Sequence, residues 1–150
     1  MHAFDAQGNI RLYGSAADIE EAHFHARFEK YTQRREHLIR VLEHEANLLS
    51  EKVRFMSLKM DGSIRVENVG LEEVIESIES LGFKKLGQAL HSPTATFDYI
   101  LSVKLFDFTR QNIESLQAKR DAKHRELEGM RAATVKDMWL KDLASLEKLL

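Results

Sequence analysis

Two short motifs in this 150-residue sequence have the residue types and spacing of metal ligands. Glu20 stands three positions before His23, and Asp121 stands three positions before His124. Di-iron helix bundles use an acidic residue and a histidine at this spacing. Such a centre also needs inward carboxylates from two more long helices, and this sequence offers two long helices at most. We therefore predict no metal site, and a helical metal enzyme is the least favoured interpretation.

Tyr31 stands close to the basic pair Arg34-Arg35, an arrangement that could indicate a reactive tyrosine. An aromatic residue at apolar helical spacing belongs more often to a core, so we predict that Tyr31 is a core residue. The pairs Arg34-Arg35 and Lys84-Lys85 are interpreted as solvated helix surface, because two charges add little to phosphate affinity. The sequence has no glycine-rich phosphate loop and no glycine-flanked serine nucleophile. We predict no catalytic and no cofactor-binding residue.

The segment Thr96–Arg110, TFDYILSVKLFDFTR, is unusually apolar and has no clear helical or two-residue period. Its apolar residues are too many for a small subdomain to bury easily, and an exposed remainder usually marks an association site. A self-complementary patch would give a two-fold dimer. The predicted dimer interface draws on residues 71–81 and 97–108 and comprises Leu71, Val74, Ile75, Ile78, Phe97, Tyr99, Leu101, Leu105 and Phe106.

Long helices must position this segment, because one proline and seven glycines leave few points at which helices can end. Ser15 and Asp18 resemble a helix cap, and no proline or glycine follows before Met60. That segment is about 65 Å long if it is helical throughout. Three- and four-residue steps predict a coiled-coil seam along its second half, at Ile39, Leu42, Ala46, Leu49, Val53, Met56 and Met60. A returning helix carries a partner seam with charged middle positions, at Ile113, Leu116, Arg120, Lys123, Leu127 and Met130.

The remaining elements are shorter. Residues 4–13 read as two strands around a turn at Gln7-Gly8-Asn9, and alternation over 63–69 predicts another strand. An amphipathic helix is predicted over 71–81, and a capping box at Thr134 and Asp137 opens a last helix. That helix places Trp139, Leu143, Leu146 and Leu150 on one face.

The predicted fold class is mainly α. A long antiparallel coiled-coil arm carries a small mixed α/β knob (residues 61–108) at its tip, with a short β-hairpin and a terminal helix at its base. The segments are a base hairpin (1–14), an outgoing helix (15–60), the knob, a returning helix (109–131) and a base helix (134–150), all within one domain.

Composition limits the possible functions. The sequence is 43% hydrophobic and 31% charged, with a net charge of −2 and no cysteine. These values predict a folded protein that has no disulfides. They also predict that it lacks an overall positive charge with which to bind DNA tightly. No apolar run approaches the length of a membrane span, so no membrane partner is predicted.

Five stretches, in order along nearly the whole chain, resemble the eukaryotic-type DNA topoisomerase II family. FDAQGNIRLYGSAADI is similar to the family's hairpin before a capped long helix, and RFEKYTQRREHLI to its R-x-x-x-Y-x-x-R helix. KVRFMSLKMDGSIRVEN looks like the stretch that enters the knob. TFDYILSVKLFDFT resembles F-x-Y-L-L-x-M-P-L-W-x-L-T, and KDMWLKDLASLEKLL resembles the final D-L-W-x-x-D-L helix. Val103-Lys104 replaces the usual Met-Pro, Phe106 replaces the tryptophan, and the loop 84–96 is short.

The resemblance implies an exit gate (C-gate), a homodimer through the knob that closes the cavity receiving the transported DNA duplex and opens to release it. Duplex DNA would pass without tight or sequence-specific binding. The resemblance also implies that the catalytic tyrosine, the Mg²⁺ ligands and the ATPase of the family lie in other segments. It implies that the enzyme acts in the nucleus or on an organelle genome (mitochondrial or kinetoplast). The alternative function is a coiled-coil adaptor whose apolar knob binds another protein.

Overall fold

The computed structural model describes residues 1–149. Strands β1 (His2–Phe4) and β2 (Ile10–Leu12) pair antiparallel, with His2 opposite Leu12 and Phe4 opposite Ile10. Asp5 holds the turn between them, because its carboxylate accepts hydrogen bonds from the backbone N–H groups of Gln7 (3.0 Å) and Asn9 (2.8 Å). Gly8 provides the left-handed conformation there, with φ of +84°. The predicted hairpin is confirmed.

Helix α1 (Ala16–Met60) is one continuous helix of 45 residues, as predicted. Ser15 and Asp18 form the capping box: Asp18 N–H donates to Ser15 Oγ (3.2 Å), and Ser15 N–H donates to Asp18 Oδ2 (2.9 Å). The helix ends at Met60, and Gly62, with φ of +76°, lets the chain turn away while its N–H donates to the Lys59 carbonyl. Four of the predicted seam positions are buried, namely Leu42, Ala46, Val53 and Met56.

The predicted strand over 63–69 is wrong. The backbone N–H groups of Ser63 and Ile64 both donate to the Leu58 carbonyl, so this segment is tied to the end of α1 in turns rather than extended. Asn68, with φ of 58°, also departs from strand geometry. Its apolar residues pack on the core without a neighbouring strand to satisfy their backbone. Among residues 61–108, strand pairing is limited to one bridge between Leu86 and Thr96, so the mixed α/β description of the knob is corrected to helices and loops.

Among residues 1–149, four other α-helices follow α1; three of them were predicted, and the short one within 96–110 was not. They are α2 (Leu71–Ser80), α3 (Asp98–Leu101), α4 (Arg110–Ala132) and α5 (Val135–Glu147), with a 3-10 turn at Leu105–Asp107. Thr134 and Asp137 form the capping box of α5, with Asp137 N–H donating to Thr134 Oγ1 at 3.1 Å. The predicted last helix extended to Leu150, which lies outside the described residues.

The chain divides into two compact units. Unit 1 consists of Met1–Ile39 and the residues from Met130 onward, and unit 2 is Arg40–Gly129. Unit 2 contains the principal apolar cluster: Phe55, Ile64, Val74, Ile78, Phe83, Phe97, Tyr99 and Ile100. Within residues 1–149, no helix is both long enough and apolar enough to cross a membrane.

Candidate dimerisation surface

Four of the nine residues predicted for the dimer interface lie in the core of unit 2. Val74 and Ile78 form the buried stripe of α2, and Phe97 and Tyr99 pack against them. The Tyr99 hydroxyl donates a hydrogen bond to the Lys84 carbonyl at 2.7 Å, which fixes the loop to this core. Burial raises the pKa of Tyr99 to about 12, with a further contribution from the carboxylate of Glu51. The structure therefore uses these four side chains for packing within one copy.

Three other residues of the predicted interface are at the surface. Leu71 is 64% exposed, Leu105 is 73% exposed and Phe106 is 87% exposed. Ile75 and Leu101 are partly buried against the core. Single exposed apolar residues are common, but the two large adjacent residues Leu105 and Phe106 are not explained by packing within the chain.

The 3-10 turn determines why Leu105 and Phe106 face solvent. The Asp107 carboxylate accepts a hydrogen bond from the Lys104 backbone N–H at 3.0 Å, and Phe108 N–H donates to the Leu105 carbonyl at 3.2 Å. This tight turn leaves Val103 and Phe108 partly buried on either side of the exposed pair. The exposed Leu105 and Phe106 thus lie between two residues that contact the interior of unit 2.

An apolar cleft of about 320 Å³ lies beside this turn, within unit 2. Its partly buried or exposed apolar lining consists of Val66, Val69, Leu71, Leu101, Val103 and Phe108. Val66 and Val69 were not assigned to any site from the sequence. Their apolar character in an otherwise polar segment is the sequence signal for this cleft, although the same alternation over 63–69 predicts a strand.

The side of the cleft carries an ion pair. Lys59 lines the cleft, pairs with Glu67, and places its ammonium 5.4 Å from the centre of the Phe108 ring. The hydrogen bond from Lys59 lowers the pKa of the Glu67 carboxyl. Glu72 and Glu73 follow Leu71 in the first turn of α2 and are exposed. Three acidic residues therefore stand close to cleft residues along the chain.

Helices α1 and α4 meet through polar side chains within unit 2. Lys123 pairs with Glu45 at 2.9 Å and with Glu126 at 3.1 Å, and the hydrogen bond that its ammonium donates to Glu45 is the largest cause of its raised pKa. Farther along α1, Lys52 and Met56 line a polar cleft together with Asn112 and Leu116 of α4. Residues farther along α1 thus lie beside residues that come earlier in α4.

Unit 1 places Tyr31 in a packed aromatic cluster, as predicted. Tyr31 is 4% exposed and stacks on Trp139, with ring centres 5.5 Å apart. Arg34 lies at the exposed surface of α1, as predicted, whereas Arg35 is partly buried, which corrects its interpretation as solvated surface. Arg34 pairs with Asp142 at 2.8 Å, and Arg35 donates to the carbonyls of Arg131 (2.7 Å) and Ala133 (2.8 Å). Arg35 thus joins α1 to the end of α4 and to the link that precedes α5, and Arg34 joins α1 to α5.

Residues 1–144 match the family model described as DNA gyrase/topoisomerase IV, A subunit. The chain is 28% identical over 179 residues to DNA topoisomerase 2 of Arabidopsis thaliana and 31% identical over 165 residues to DNA topoisomerase 2-alpha of Gallus gallus. These alignments cover 99% and 97% of this chain but only 12% and 11% of the relatives. The chain therefore spans about an eighth of their length.

One solved structure is also similar over nearly the whole chain. It is the crystal structure of the Plasmodium falciparum topoisomerase II DNA-binding, cleavage and re-ligation domain. The TM-score is 0.85 at 25% sequence identity, and the match covers 99% of this chain and 23% of that chain.

Proposed function

Because this chain belongs to the DNA gyrase/topoisomerase IV A-subunit family, we propose that it is the exit gate of a type II DNA topoisomerase. In this role two copies associate through the knob and close the cavity that receives the transported duplex, then part to release it. The observation that carries the proposal is the exposed pair Leu105–Phe106 beside an apolar cleft, on a unit that has its own packed core. Large exposed apolar residues next to an apolar depression favour association with another surface.

The proposed dimer contact must bind tightly enough to retain the partner copy and weakly enough for the two copies to separate. The exposed apolar residues of the knob are few, and the net charge of the chain is −2. A small interface, near or below roughly 1,200 Å² of buried surface, suits reversible contact. A nearly neutral chain also suits a passage that a duplex crosses without being held.

We propose that α1 and α4 form the coiled-coil arm that carries the knob. The support is the three- and four-residue spacing of buried positions in α1, together with the buried Leu127 and the Lys123–Glu45 ion pair in α4. On the same proposal the whole enzyme is an ATP-dependent isomerase of the nucleus. Its Mg²⁺ and ATP would act in other segments, and this chain would supply the gate.

Light scattering over a dilution series tests the gate dimer. We expect the 150-residue chain to form a concentration-dependent dimer. The double variant Leu105→Glu, Phe106→Glu should be a folded monomer, because two buried unpaired carboxylates would oppose association. An exposed pair in unit 1, changed as Ile10→Glu and Leu12→Glu, is the matched control and should leave the dimer intact. The adaptor alternative predicts a wild-type monomer, or a dimer that the knob variant does not affect.

A functional test uses a type II topoisomerase in which this chain replaces the corresponding segment, for example the Gallus gallus relative. The chimera should relax supercoiled plasmid. Adding the Leu105→Glu, Phe106→Glu change should lower relaxation while DNA cleavage persists, because cleavage is proposed to occur in other segments. Unchanged relaxation in the double variant would contradict the gate.

A further inference from the structure

We infer that Phe106 of each copy inserts into the apolar cleft of the other copy, so that two identical anchor-in-cleft contacts close the knob dimer. This inference rests on the proposed knob dimer and specifies which groups form it. Phe106 is called the anchor below, and the cleft is the one lined by Val66, Val69, Leu71, Leu101, Val103 and Phe108.

The anchor is presented by a backbone that is already fixed. Phe106 is 87% exposed in the middle of the 3-10 turn. The turn is tied at its start by the Asp107 carboxylate and at its end by the Phe108–Leu105 hydrogen bond. An aromatic side chain on a preformed turn buries a large apolar area and loses little conformational freedom on binding. These are the properties of residues that dominate interface energetics.

The cleft has a size that suits one aromatic side chain. Its volume of about 320 Å³ lies at the lower limit of small-molecule pockets. Its apolar lining includes the ring of Phe108, which offers an aromatic partner to an incoming ring. Leu71, 64% exposed, belongs to the same lining, so part of the cleft's apolar surface is open to solvent.

Residues on both sides of the anchor line the cleft, and this proximity permits two-fold exchange. Val103 and Phe108, which flank the 3-10 turn in sequence, both line the cleft. A two-fold interface requires a patch that complements itself, so that residue i meets j and j meets i. A patch carrying a protruding ring beside an apolar depression satisfies this requirement.

The charges near the patch favour the same pairing. Lys104, which is exposed, directly precedes the turn, and the Asp107 carboxylate is engaged by the Lys104 backbone N–H. The cleft has Glu67 paired to its lining residue Lys59, and Glu72 and Glu73 follow its lining residue Leu71. Insertion of the anchor would bring Lys104 of one copy toward these acids of the other, which aids orientation more than affinity.

Two variants test the contact from opposite sides. Phe106→Ala removes the anchor, and Val69→Phe fills the cleft without touching the anchor. We expect each to weaken dimerisation about 30-fold or more in sedimentation equilibrium, the loss typical of a central interface residue. Ile10→Ala truncates an apolar residue of comparable exposure in unit 1 and should leave the dissociation constant unchanged. Circular dichroism of the exposed-site variant Phe106→Ala should match wild type.

Cross-linking identifies the contact directly, because the chain has no cysteine. One chain carrying Phe106→Cys is mixed with a second, differently tagged chain carrying Val69→Cys, and the mixture is oxidised. A disulfide between the two tagged species is the expected product and can form only between copies. Disulfides confined to pairs of Phe106→Cys chains would show that the two anchors meet each other, and would overturn the inference.

The outcomes separate this inference from the proposed function. A wild-type monomer at all concentrations would overturn both. A dimer disrupted by Leu105→Glu, Phe106→Glu but changed less than twofold by Phe106→Ala and Val69→Phe would retain the knob dimer and overturn reciprocal insertion. The expected pair of losses with the mixed disulfide would support both.

Discussion

Tyr31 and Asp142 are joined by a hydrogen bond in which the tyrosine hydroxyl donates to Oδ2 of the carboxylate across 2.8 Å. This bond links α1 to α5, and Arg34 donates to the same oxygen at 2.8 Å. One carboxylate oxygen therefore accepts from a buried tyrosine and from an exposed arginine. The two donors have different environments, so their contributions to the free energy of unfolding can be measured separately.

Replacement of Tyr31 by phenylalanine should lower the free energy of unfolding by about 1–2 kcal/mol, because a hydrogen bond to a charged acceptor is lost while ring stacking on Trp139 is kept. Arg34→Met should cost less, because an ion pair with solvent-exposed partners is screened by water. Urea unfolding of both variants provides the comparison. An equal or larger loss in Arg34→Met would contradict this ranking.

Asp142 should make stability fall in acid. Its hydrogen bonds from Tyr31 and then Arg34 lower the pKa of the carboxyl below its usual value of 3.8. A carboxyl with a depressed pKa in the folded state stabilises the fold above the unfolded pKa, and this contribution is lost as pH falls through the folded value. Denaturant midpoints measured from pH 5 downward should therefore decline less steeply in Asp142→Asn than in wild type. Parallel plots of midpoint against pH for the two proteins would show that the Asp142 carboxyl does not contribute to the loss of stability in acid.

Tyr99 should make stability fall in strong alkali, so its effect appears as pH rises, whereas that of Asp142 appears as pH falls. Its pKa rises from 10.0 to about 12, chiefly because it is buried. The folded state therefore retains the proton where the unfolded state releases it, and stability is lost as pH rises from about 10 toward 12. Ultraviolet absorbance titration should show one tyrosine that ionises late, and this phase should be missing in Tyr99→Phe. Its persistence in the variant would show that Tyr99 is not the source of the late phase.

Ile78 should be far more important to stability than Leu71, although both belong to α2. Ile78 is 0% exposed, so Ile78→Ala leaves a cavity and should cost about 2–5 kcal/mol in unfolding free energy. Leu71→Ala should change stability by less than about 0.5 kcal/mol and should instead weaken the proposed dimer. Chemical denaturation at concentrations below the dimer midpoint separates the two effects. A large loss of monomer stability in Leu71→Ala would mean that Leu71 packs within its own copy.

The helices and their ends follow from local chemistry. Forty-five residues without proline or glycine, bounded by the Ser15–Asp18 cap and by Gly62, determine α1 because each signal acts within a few residues. The Thr134–Asp137 box determines the start of α5 for the same reason. The sequence also identified Tyr31 as a core residue, since its spacing places it on the apolar face. Its resemblance to the type II topoisomerase family extended over nearly the whole chain, as the family match does.

Which apolar residues of the knob face inward was decided by tertiary structure. Val74, Phe97 and Phe106 are alike in hydrophobicity, yet the first two are buried and the third is exposed, because a 3-10 turn held by Asp107 directs Phe106 away from the core. The alternation over 63–69 had the pattern of a strand. Its backbone instead bonds to the end of α1, and a strand requires a neighbouring strand that periodicity alone does not reveal. Local signals specify elements, whereas the division of apolar side chains between core and surface depends on contacts between residues distant in sequence.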